Sequence, residues 1–190
     1  MASVYVPASR DAAFNNLPAD EAVNGLDVDT ERGRMTDQWE ENAKAIFEKQ
    51  YNSRIVKFGD KRSIIDWAVV KNDKIIAVVE HKSRPRLTPE ILKNKFQNVL
   101  IIGADKIEGG QLIARLINND FYLSIYFVPT NQLMLIKLWD AEKSDWCVEF
   151  NIERKITQNS INGGTANRLQ AFITVPEKFV LIEGNSLQSI

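Results

Sequence analysis

The chain is poor in the residues that staple a fold or ligate soft metals. Its 190 residues hold one cysteine, Cys147, and one histidine, His81. A lone cysteine excludes a disulfide framework, and with a lone histidine it also excludes a Cys/His zinc site. Any bound metal must then rest on oxygen ligands, which points to magnesium, or manganese in its place. No apolar run is long enough to span a bilayer, so no membrane partner is expected. The opening ten residues lack the basic end and apolar run of a signal peptide. An intracellular, reducing location, the cytoplasm, is the natural expectation. No internal repeat, low-complexity tract, helix-turn-helix or zinc module is visible. With 24 basic against 25 acidic residues, whole-chain charge argues neither for nor against nucleic acid.

What is present divides unevenly. Residues 1–35 are rich in Ala, Asn, Asp, Pro and Gly and show no sustained apolar period. Residues 1–42 carry three basic against nine acidic residues, a net of −6. Such a segment seldom buries enough apolar surface to fold alone. Residues 1–35 are therefore expected to be a flexible acidic segment, and 36–190 a single domain.

From Thr36 the patterns sharpen. Trp39, Ala43, Ile46 and Phe47 follow helical spacing after a capping residue, which predicts an amphipathic helix over 36–50. Short strands are expected at 54–58, 63–70 and 74–82, with a turn at 59–61. Pro89 opens a helix to about Phe96, followed by a strand over 98–103 and a helix over 108–118. Strands at 121–128, 132–138, 148–155, 169–175 and 178–182 complete the chain. The order predicts an α+β or α/β fold, a mixed sheet covered by helices.

The chemistry concentrates on the hairpin 63–82. Ile76, Val78, Glu80 and Lys82 share one strand face, so two charged groups continue an apolar row. A carboxylate leaving water must be paired, hold a metal, or shift its pKa. Asp66 on the preceding strand supplies a second carboxylate. Two carboxylates can fix a hard cation, and the Lys82 ammonium can orient or help deprotonate a water. Register constrains this: a two-residue Asn72-Asp73 turn puts Asp66 opposite Val79, on the wrong face. The carboxylates meet only with an odd-length loop or a bulge. A second Glu-x-Lys, Glu153 and Lys155, lies on the polar face of its strand and reads as solvated. His81 points away from Glu80 and Lys82, which implies packing or hydrogen bonding; Trp67 and Phe96 read as core. Residues 81–106 carry six basic against two acidic residues. Arg84, Arg86, Lys93, Lys95 and Lys106 there suit a phosphate backbone. Gln97 either contacts the scissile phosphate or caps the helix before it.

The order αβββαβ, with Asp66 on the second strand and Glu80-x-Lys82 on the third, resembles the PD-(D/E)XK nuclease superfamily. The resemblance covers residues 36–106 and departs from the pattern at Ile65, where the motif has proline. It implies a restriction-endonuclease-like core over 36–106 with a β-rich extension over 107–190. It further implies Asp66 and Glu80 as magnesium ligands, the His81 backbone carbonyl as a third, and Lys82 as the catalytic lysine. Members often add a carboxylate from the first helix. Glu40 borders the buried stripe there, whereas Glu41 aligns toward solvent. The expected function is magnesium-dependent hydrolysis of DNA. Two other readings stand beside it: a catalytically silent structural or partner-binding protein, and a nuclease of RNA or single strands. By analogy the chain suits a phage or mobile element, acting in the host cytoplasm or carried in a virion. A homodimer and a phage protein partner are both left open.

Overall fold

A computed structural model describes residues 31–58, 63–158 and 165–184. Helix α1 spans Glu31–Tyr51, followed by strands β1 (Arg54–Lys57), β2 (Trp67–Lys71) and β3 (Lys74–Arg84). Helix α2 (Pro89–Phe96), strand β4 (Val99–Gly103) and helix α3 (Ala104–Ile117) come next. Strands β5 (Asp120–Phe127), β6 (Gln132–Asp140), β7 (Asp145–Trp146), β8 (Phe150–Gln158), β9 (Thr165–Thr174) and β10 (Val180–Glu183) complete the order. The expected turn at 59–61 and residues 1–30 lie outside the described residues. The helix expected to begin at Thr36 begins at Glu31 instead, because Glu31, Arg32, Arg34 and Met35 are themselves good helix formers.

The larger sheet runs β1-β2-β3-β5-β6-β10, with β7 also on β6; the smaller runs β4-β9-β8. Among the described strands of the larger sheet only β3 and β5 pair in parallel. Antiparallel neighbours need only short turns, whereas a parallel pair needs a long crossover. Here the crossover is the whole of α2, β4 and α3. The sheet is thus mixed and the fold α+β, as the element order predicts.

One expectation is corrected. The core implied over 36–106 includes the strand 98–103, but β4 pairs with β9 in the smaller sheet, and β5 is the strand beside β3. Val99-Leu100-Ile101-Ile102 is apolar enough for either sheet, so its partner is set by tertiary packing. The division at 106/107 likewise falls inside α3, and the β-rich extension contributes β5, β6 and β10 to the larger sheet.

Both faces of the larger sheet are covered. Ala43 and Phe47 of α1 pack with Trp67, Val69, Val79, Tyr126, Leu133 and Leu135. On the other face Ile65, Val78, Phe121, Leu123, Ile125 and Ile136 meet Leu92 of α2, Ile107 and Ala114 of α3, and Ala171 and Ile173 of the smaller sheet. Double coverage explains why β5 and β6 read as nearly continuous apolar runs.

Candidate active site

The site is built on the β2–β3 hairpin. Asn72 and Asp73 form its turn with φ of 51° and 58°, the left-handed pair that a two-residue primed turn requires. Lys71 therefore pairs with Lys74, the arrangement that would set Asp66 on the wrong face. A bulge corrects it. Val70 pairs with Ile75 but Val69 pairs with Ala77, so Ile76 is the extra residue. Trp67 then lies opposite Val79, and Asp66 comes level with Glu80. The Asp66 amide donates to the Val79 carbonyl at 3.2 Å, and the His81 amide donates to Asp66 Oδ2 at 2.8 Å.

Glu80 is fully buried, on the row of Val78. Lys82 Nζ donates to Glu80 Oε1 at 2.5 Å and to the His81 carbonyl at 2.9 Å, and lies 3.5 Å from Asp66 Oδ2. Lys106, on the first turns of α3, joins from the other side. Its Nζ donates to the Ser63 carbonyl at 2.8 Å and stands 3.5 Å from Glu80 Oε2 and 3.8 Å from Asp66 Oδ1. Two carboxylates and two ammoniums thus share one place. Burial pushes the Glu80 carboxyl up; Lys82 opposes this and the Asp66 charge adds to it. Buried charges of this kind persist only when partners compensate the lost hydration.

Glu80 Oε2 is buried and has no hydrogen-bond partner among the described residues, although Lys106 lies within ion-pairing distance. Asp66 Oδ1 lies 3.8 Å from the same ammonium, and these two oxygens form a hard donor pair. Their chemistry fits magnesium, which takes one or two carboxylates and keeps several waters. Among the described residues no group of three or more His, Cys, Asp or Glu could hold a metal. Among the described residues the carboxylates that meet at this place are Asp66 and Glu80.

The remaining expected residues are distributed as follows. Glu40 accepts from Trp67 Nε1 at 2.8 Å and pairs with Lys57 at 3.3 Å. Trp67 faces α1, and the adjacent Asp66 faces the other way, so the structure does not bring Glu40 to the carboxylate pair. The helix phase is nonetheless as read from its stripe, since the Glu40 side chain is 19% exposed and that of Glu41 53%. The His81 carbonyl is taken up by Lys82. Arg84 donates to the Ile101 carbonyl at 3.3 Å, tying β3 to β4. Arg86, Lys93 and Lys95 are exposed. Gln97 is exposed and ends α2 in a left-handed conformation, its amide bonded to the Leu92 carbonyl. Sequence reasoning gave Lys106 only a place on the basic surface; its contact with both carboxylates depends on the crossover geometry, which no local pattern reveals. The second Glu-x-Lys is a pair at 2.9 Å with both side chains nearly half exposed.

His81 occupies the opposite face. Its ring stacks on Trp67 at 4.2 Å and contacts Ser124 Oγ at 3.1 Å and Ser83 Oγ at 3.0 Å. Burial first, then the Lys82 charge, holds its pKa well below the ordinary 6.5. As the chain's one histidine, it gives an isolated NMR signal. Its ring is expected to stay neutral at pH 6; a midpoint near 6.5 would contradict this packing. The unfolded chain takes up the proton first. His81 therefore costs no stability above pH 6.5, and stability falls as pH drops below it.

No family model matches the chain, and a search of curated proteins finds no match. No described helix is long and apolar enough to cross a membrane.

Proposed function

We propose that the chain is a metal-dependent nuclease hydrolysing DNA phosphodiester bonds, with a restriction-endonuclease-like core. The observation that carries this is the meeting of Asp66 and Glu80 at one place, where the buried Glu80 Oε2 has no hydrogen bond among the described residues. The order α1-β1-β2-β3-α3-β5, with β3 and β5 parallel, supports it. It follows αβββαβ once α2 and β4 are treated as an insertion.

In this reading Asp66 and Glu80 hold magnesium or manganese. When bound, the cation supplies Lewis-acid polarisation of the phosphodiester and a more acidic water. Lys82, donating to Glu80 and fixed by the His81 carbonyl, places a positive charge where a water and the phosphate oxygens would gather. Lys106 must give up its share of the carboxylates and is then free to pair with phosphate. The second reading, a silent protein retaining the fold, is favoured by the two lysines. They match the charge of both carboxylates without a cation.

Supercoiled plasmid, single-stranded DNA and RNA incubated across a magnesium series separate the readings. Plasmid nicking or linearisation that a chelator abolishes is the expected result. Cleavage confined to single strands or RNA would transfer the proposal to that substrate, and no cleavage at any magnesium or manganese concentration would sustain the silent reading. Lys82→Ala should stop cleavage, by about 10²–10⁴-fold, while duplex binding persists on the remaining basic groups. A wild-type rate in this variant would remove Lys82 from its role.

A further inference from the structure

The smaller sheet is uneven. β4 pairs with β9 from Val99 opposite Thr174 to Gly103 opposite Gln170, and there β4 ends. β8 and β9 remain paired beyond it, from Arg154 opposite Leu169 to Gln158 opposite Thr165. Five residues of each strand, roughly 17 Å at the usual rise, therefore run on as a two-stranded ribbon. They run past the end of β4 from which α3 springs, and α3 carries Lys106 to Asp66 and Glu80. The ribbon thus projects past the same end of β4 that leads into α3.

Its side chains are unusual for a free ribbon. Lys155 stands directly opposite Arg168, a like-charge pair that disfavours the hairpin by itself. Glu153 pairs with Lys155 at 2.9 Å. Among the described residues no carboxylate forms an ion pair with Arg154 or Arg168, and both are exposed. Ile156 is 75% exposed and Leu169 47%. Cations without an ion pair and bare aliphatic groups on one projecting ribbon leave two needs unmet among the described residues.

We propose that the β8–β9 ribbon is a binding arm for double-stranded DNA, holding the duplex beside Asp66 and Glu80. This rests on the nuclease reading for its ligand. Arg154, Lys155 and Arg168 match the phosphate backbone, and the aliphatic groups match base edges. A two-stranded ribbon fits the major groove of B-form DNA, about 12 Å wide. It does not fit the deep, narrow major groove of an RNA duplex.

The test is duplex binding by the full chain in chelator, where no cleavage occurs. Arg154→Ala/Arg168→Ala should weaken binding of a B-form duplex by about tenfold or more. It should also reduce the slope of log affinity against log salt by about 2, for two lost phosphate contacts. Removing equal charge elsewhere, as Lys143→Ala/Lys178→Ala, should change affinity by less than about twofold. The melting temperature of the arm variant should not fall, since a like-charge opposition is relieved. Unchanged duplex affinity overturns the arm, as does equal weakening by the control pair. Loss of binding to anionic-lipid vesicles with duplex affinity intact also overturns it, as the arm would then be a membrane contact. Binding is read without metal, so loss of duplex affinity supports the arm even if no cation restores hydrolysis. Unchanged affinity overturns it even where hydrolysis is strong.

Discussion

Glu80→Gln is expected to lower DNA hydrolysis by about 10²–10⁴-fold, the range covered by loss of one positioned catalytic group, while the chain stays folded. The substitution keeps the shape of a fully buried side chain and removes a charge whose burial is opposed by lost hydration. Lys82 keeps the His81 carbonyl at 2.9 Å and Asp66 at 3.5 Å, so it is not left isolated. In the proposed reading, what disappears is one of two anionic donors for the cation. Higher magnesium should restore only part of the rate. A variant that hydrolyses DNA at the wild-type rate would show that Glu80 is a structural ion-pair member only.

Trp67→Ala carries the largest expected loss of stability. Trp67 is completely buried, donates to Glu40, stacks on His81, and belongs to the cluster that seats α1 on the sheet. Truncating a buried tryptophan costs about 3–5 kcal/mol, a large part of the roughly 5–15 kcal/mol by which domains are stable. The melting temperature should fall by about 6–20 °C. Trp67→Phe separates the ring from its N–H: it should lose much less, because Glu40 keeps Lys57 at 3.3 Å. Equal losses in the two variants would mean that the indole hydrogen bond, rather than packing, holds α1.

Much of the candidate site was legible because side chains alternate along a strand, as they do here from Ala77 to Lys82. Glu80 follows Val78 on a buried row, and a carboxylate there demands compensation, whereas Glu153 sits on a row already given to solvent. The register was legible only as a choice between a loop of odd length and a bulge. Asn72 and Asp73 both tolerate left-handed backbone, which favours the short turn, and Ile76 then absorbs the extra residue. The stripe on the first helix gave the phase that buries Glu40 more than Glu41. It could not give the sheet face the helix covers, and that face is the one bearing Trp67 rather than Asp66. β4 was legible as a strand, but its partner lies about seventy residues further on, beyond any local signal. Lys106 reaches the carboxylates for the same long-range reason.

Calorimetric titration of manganese and magnesium into the full chain tests whether Asp66 and Glu80 together hold a divalent cation. A single saturable site is expected in the wild type, and its loss in both Asp66→Asn and Glu80→Gln. Binding of undiminished strength in either variant, or no binding by the wild type, would contradict the account.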